Sequence, residues 1–181
     1  MYNMSRMMCC SFYGMDFTKD DFYKALELVK GAVQGEREDE LFYDYLISEE
    51  PTNEEKEIIR TIRDDERKHR KMFKFLYKFY TGKDIEASEE AEDFEKPESY
   101  IDGIKKALFG ELAAMERYRE IRKGLPNRYH RDMVFEILTD EIKHAIKYNY
   151  ILNTTHKNNK RITKTEEKGK VNSHEMRTIM W

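Results

Sequence analysis

Between about residues 20 and 153, apolar side chains recur three, four and seven positions apart, the spacing that places them on one face of a helix. Four such stretches are separated by breaks. The first, capped by Asp20 and Asp21, runs to about Ser48 and carries Leu26, Val29, Val33, Tyr43 and Ile47 on one face, with Glu36 and Glu40 among them. The second spans about 53 to Tyr80. It opens on Thr52 with Glu55 three residues later, a capping-box signature, and ends at Thr81-Gly82. The third covers about 99 to 123 and carries Ile101, Ile104, Leu108, Glu111, Tyr118 and Ile121, with Gly124 and Pro126 as stop signals. The fourth, about 127 to 153, carries Val134, Ile137, Glu141, His144, Tyr148 and Ile151.

Loop lengths select a topology. The first and third connections are about four to six residues, so each joins antiparallel neighbours. The middle connection, KDIEASEEAEDFEKPE, is roughly 16 residues and reaches about 50 Å when extended, against about 40 Å for a 27-residue helix. It can run the length of a bundle and leave helices two and three parallel. The expectation is an all-α four-helix bundle with one long crossover between helices 2 and 3. Residues 1–19 form a Met-, Tyr- and Cys-rich arm before it, and residues 154–181 are expected to be a polar, disordered tail.

The second stretch contains an anomaly. In RDDERKHRKMF, Glu66 and His69 fall on the apolar stripe, where an unpaired charge costs several kcal/mol or is forced to neutralise. The same motif returns as LTDEIKH, with Glu141 and His144. A constant shift of 75 positions relates the two, and also carries Gly35-Glu36 onto Gly110-Glu111 and Tyr43 onto Tyr118. The chain is thus two duplicated helical hairpins related by a pseudo-twofold axis. Packed face to face, they bring four carboxylates and two imidazoles into one interior. Four negative charges cannot share a dry core without cations to neutralise them, and this donor set suits two first-row metal ions, with carboxylates bridging and each His capping one ion. A single Glu-x-x-His on a charged helix means little; two copies in identical phase, each with a preceding Glu and a Tyr seven residues further on, point to metal.

Composition narrows the alternatives. Leu, Ile, Val and Phe make up only about a fifth of residues, and mean hydropathy is −0.90. The net charge of −3 and the periodic placement of the apolar residues nonetheless argue for narrow apolar stripes on long charged helices. Interspersed charge leaves no footprint for nucleic acid, and no apolar run is long enough to span a membrane. The N-terminal segment is a poor signal peptide, which makes the cytoplasm the expected compartment. Cys9 and Cys10 are adjacent and the only cysteines, so no disulfide framework exists.

The duplicated pattern over about residues 20–153 resembles the ferritin-like superfamily of di-iron carboxylate proteins, rubrerythrins and bacterioferritins in particular. The resemblance implies that Glu36, Glu66, His69, Glu111, Glu141 and His144 bind two iron or manganese ions, with Glu66 and Glu141 bridging. It also implies that Tyr43 and Tyr118 orient ligand carboxylates across the bundle. The chain departs from the pattern in lacking a CxxC-based rubredoxin domain, so electrons must come from an external donor. Ala114 stands where rubrerythrins carry an extra carboxylate. Met115 has no assignable haem role.

The expected function is a non-haem di-iron oxidoreductase acting on hydrogen peroxide or dioxygen, in peroxide defence or as a ferroxidase. A di-manganese catalase-like enzyme and a structural or coat-assembly protein on a metal-binding scaffold are the alternatives, and a homodimer is compatible with either. Glu40 competes with Glu36 as ligand, but only Glu36 has a partner at the 75-residue shift. Glu116 reads as a solvent-facing charge, and His130, His156 and His174 as exposed. The aromatic run from Phe73 to Tyr80 reads as packing, and the N-terminal arm as a leader or an adhesive arm for assembly.

Overall fold

A computed structural model describes residues 18–49, 52–87 and 96–178, with side chains as far as 155. Four helices account for almost all of it: α1 (Lys19–Ser48), α2 (Asn53–Thr81), α3 (Tyr100–Lys123) and α4 (Arg128–Thr178). Residues 1–17, most of the expected N-terminal arm, and 88–95, within the crossover, lie outside the described residues.

Local chemistry sets the helix ends. The α1 cap is Thr18 rather than Asp20 or Asp21. Its hydroxyl accepts from the Asp21 amide while the Asp21 side chain returns to the Thr18 amide, closing a capping box. Thr52 and Glu55 form the same box on α2 as expected, and Ser99 caps α3 by accepting from the Asp102 amide. Gly82 ends α2 in the left-handed region at φ 70°, where a side chain would be strained. Gly124 serves differently. Its φ is −84°, but a Cβ there would lie 2.3 Å from the Asp21 carbonyl oxygen, so the α3–α4 turn can close against the start of α1 only without a side chain.

Helix α4 extends past the expected end at 153, with its backbone helical to Thr178. No proline interrupts residues 154–178, and their many Lys, Arg and Glu residues are good helix formers, so nothing local terminates the helix.

The packing pairs α1 with α2 and α3 with α4, with α1 against α3 and α2 against α4. Tyr43 meets Glu111 while Tyr118 meets Glu36, so α1 and α3 are antiparallel. Tyr80 meets His130 while Glu55 meets Thr155, so α2 and α4 are antiparallel too. Helices α2 and α3 are therefore parallel, so the end of α2 and the start of α3 lie at opposite ends of the bundle. Among the described residues no helix is long and apolar enough to cross a membrane.

The core is divided. One buried cluster includes Val29, Phe73, Leu76, Tyr118, Ile121, Val134 and Ile137; the other includes Tyr43, Leu46, Ile59, Ile62, Ile104, Tyr148 and Ile151. The 75-residue shift turns each of these seven into a member of the other cluster. The pseudo-twofold axis thus exchanges the ends of the bundle, and what lies between the clusters is the polar set.

Candidate metal centre

All six expected ligands converge there. Glu36, Glu66, His69, Glu111, Glu141 and His144 are each at most 2% exposed, which no charged residue sustains without partners. Their donor atoms form two groups, Glu36, Glu66, His69 and Glu141 in one, and Glu66, Glu111, Glu141 and His144 in the other. Within each group the atoms lie within 4.8 Å of one another. Glu66 and Glu141 belong to both groups, one from each hairpin, which is the arrangement bridging carboxylates require.

Helix phase produces this convergence. Glu66 and His69, three apart, lie on one face of α2, and Glu141 and His144 do the same on α4. The His69 and His144 rings lie 5.9 Å apart. His69 Nδ1 lies 3.1 Å from Glu141 Oε1 and 3.3 Å from Glu66 Oε2. His144 Nδ1 lies 3.1 Å from Glu66 Oε1 and 3.5 Å from Glu111 Oε2.

Several of these close approaches lack hydrogen-bond geometry. Glu36 Oε2, Glu66 Oε1, Glu141 Oε1 and His144 Nδ1 are buried without a hydrogen-bond partner, a state that costs about 1–3 kcal/mol per group and more for a charge. Lone pairs left unmet and aimed at a shared interior suit a cation. Burial, followed by the charge of Glu36, pushes the Glu66 carboxyl well above its usual range. Burial and then Glu66 do the same to Glu141. Burial acts to lower the imidazole pKa of His69 and His144, but the carboxylates around them outweigh it and raise both. The site holds protons where a metal ion would place positive charge.

A second layer crosses between the halves. The Tyr43 hydroxyl donates to Glu111 Oε1 at 2.6 Å, and the Tyr118 hydroxyl donates to Glu36 Oε1 at 2.6 Å. Burial raises both phenols well above their ordinary values, with Glu111 and Glu36 respectively adding to it, which keeps both as donors. Each Tyr thus orients the other hairpin's ligand, leaving the second carboxylate oxygen directed inward.

The His residues are anchored in the same crossed way. His69 Nε2 lies 3.4 Å from Asp140 Oδ2, and His144 Nε2 lies 3.1 Å from Asp65 Oδ2. Such a carboxylate fixes the tautomer, with the proton on Nε2 and the Nδ1 lone pair free for a metal. These two Asp residues are the part that the sequence analysis missed. The signal was available, since an Asp immediately precedes the Glu in both DERKH and DEIKH.

The competing residues are placed elsewhere. Glu40 turns away from the centre toward Arg67 Nε at 2.7 Å, Arg70 Nη1 at 2.6 Å and Arg37 Nη1 at 2.9 Å. Glu116 is exposed and paired with Arg119. Ala114 is buried, and Met115 packs against the first core cluster. His130 corrects the expectation of exposure: it is buried, 2.6 Å from the Tyr80 hydroxyl through Nδ1, with Phe79 edge-on at 4.5 Å. The first turn of α4 carries it beneath the aromatic C-terminal end of α2. Within the aromatic run, Phe73 packs on Tyr118 at 4.9 Å, as expected of a core residue, whereas Phe75 and Phe79 are about half-exposed. The side chains of His156 and His174 lie outside the described residues.

Compared with protein-family models, with curated proteins and with solved structures, the chain finds no match.

Proposed function

We propose that this protein is a non-haem di-iron oxidoreductase of ferritin-like type that reduces hydrogen peroxide or dioxygen with electrons from an external donor. The observation that carries the reading is the pair of four-residue donor groups sharing Glu66 and Glu141, with four of their atoms buried and unpartnered. Mixed imidazole and carboxylate ligation accommodates both ferrous and ferric iron. A metal held only for structure would not need two adjacent groups sharing two carboxylates.

Glu36 and His69 would hold one ion, Glu111 and His144 the other, and Glu66 and Glu141 both. Iron bound there supplies the two electrons that cleave an O–O bond, so that peroxide and two protons become two waters. Glu66 and Glu141 would each offer such an ion an oxygen that is free of protein hydrogen bonds. Tyr43 and Tyr118 hold Glu111 and Glu36 against rotation. Asp65 and Asp140 hold the imidazoles in orientation by accepting at Nε2, so that Nδ1 faces the centre. The two apolar clusters exclude bulk water from both ends.

Anaerobic loading with ferrous iron followed by elemental analysis tests the reading. The expected result is about two ions per chain, with peroxide then consumed and the iron oxidised in step. Uptake below about one ion per chain overturns it. Manganese loading with oxygen evolution from peroxide would establish the catalase-like alternative, and metal uptake without any turnover the structural one.

A further inference from the structure

The 75-residue shift also shows where the two halves differ. Two of the differences near the ligands concern groups that could face the centre. Asp39 on α1 corresponds to Ala114 on α3, and Phe73 on α2 corresponds to Tyr148 on α4. Both polar members belong to the same end of the centre.

Tyr148 is fully buried, and its ring centroid lies 5.6 Å from that of Tyr43, whose hydroxyl is bonded to Glu111. The Tyr148 hydroxyl has no hydrogen-bond partner of acceptable geometry. Burial first, then the Glu111 and Glu66 carboxylates, hold it protonated against an opposing contact with the Tyr43 hydroxyl, and that contact lacks the geometry of a full hydrogen bond. Asp39 lies one helical turn from Glu36 and one from Tyr43 on the same side of α1, and is half-buried. Burial, then Glu111, then Glu36 push its carboxyl well above the carboxylate range. At the other end the equivalent places are closed: Ala114 is buried, and Phe73 packs tilted against Tyr118 with no polar atom to offer.

Resting on the metal reading above, we infer that the two ion positions are inequivalent, and that the Glu111–His144 position is the one that takes an exogenous small oxygen- or nitrogen-donor ligand, received by the Tyr148 hydroxyl with Asp39 beside it. The Glu36–His69 position takes protein ligands only. An unmet buried donor costs stability, and a donor next to an open metal position recovers that cost when a small anion or a peroxide oxygen accepts from it. Asp39 also adds a carboxyl at this end where the other end has only the Ala114 methyl.

The test is azide titration of the full-length protein loaded with cobalt(II), followed by visible absorption. Wild type should bind one azide per two-metal centre. Tyr148→Phe, which makes the centre symmetric at that position, should weaken azide about tenfold, the worth of one hydrogen bond to a charged group, while cobalt stoichiometry stays at the wild-type value. Phe73→Tyr, which copies the donor to the opposite end, should admit a second azide. Unchanged azide affinity in Tyr148→Phe, or two equal azides in wild type, overturns the inequivalence and leaves the metal site standing. Failure of wild type to take up cobalt overturns the metal reading itself, and this inference with it.

Discussion

Tyr43 on α1 donates its phenolic proton to Glu111 on α3 at 2.6 Å, across 68 residues of chain and from one hairpin to the other. Tyr118 and Glu36 repeat the contact in the opposite sense. Neither half builds the buried cluster alone, because each half orients a carboxylate of the other. Tyr43→Phe and Tyr118→Phe should therefore keep the fold and weaken metal binding by about 10–100-fold each. Competition with a calibrated chelator reads this directly, and wild-type affinity in both variants would exclude an orienting role.

The two Asp anchors are not equally buried. The Asp140 side chain is 12% exposed and that of Asp65 38%. Water substitutes more readily at the exposed position, so Asp140→Ala should disturb His69 more than Asp65→Ala disturbs His144. Nitrogen chemical shifts of the imidazoles report the tautomer. Loss of the Nε2-protonated form is expected in the Asp140 variant, with a smaller change in the Asp65 variant.

Glu66 and Glu141 are costly to the chain unless a cation lies beside them. Both are buried, each has an oxygen with no hydrogen bond, and burial raises both carboxyls. Replacing Glu66 and Glu141 with Gln keeps the shape and removes the ionisation, which should stabilise the metal-free chain by about 1–4 kcal/mol and abolish two-ion binding. Thermal unfolding with and without metal measures both effects. A destabilised metal-free double variant would mean that these carboxylates are structural.

Glu40 supplies a contrasting case. Burial acts to raise its pKa, but bonds from Arg67, Arg37 and Arg70 outweigh burial and lower it to about 2. A folded-state value below the unfolded one contributes stability that is complete above the ordinary Glu value of about 4.3, and that is lost as pH falls toward 2. Glu40→Gln should flatten this part of the acid-unfolding curve, and Glu40→Ala should cost about 1–3 kcal/mol with metal stoichiometry unchanged. A loss of bound metal in Glu40→Gln would restore Glu40 as a ligand candidate.

Much of this molecule is determined along the chain. Helical periodicity places the four elements, Thr52, Gly82 and Ser99 mark ends by local hydrogen bonding or backbone strain, and the short and long connections dictate which helices run antiparallel. The repeat at 75 residues identifies all six converging side chains, because identical spacing in two hairpins guarantees identical helix phase. Periodicity is blind to what lies across an interface. The repeat pairs Asp65 with Asp140, but helix phase does not give them a role, since that comes from an imidazole on the opposite helix. Periodicity treats His130 as a solvent residue because the aromatic lid that buries it comes from the end of α2. It counts Tyr148 as one more apolar stripe position, although its hydroxyl is buried without a partner. Glu36 and Glu40 are nearly equivalent in helix phase; three arginines, two of them from α2, draw Glu40 outward and leave Glu36 to the centre. Sequence spacing sets which face a side chain occupies, whereas its partner, its protonation and its exposure depend on which other face is packed against it.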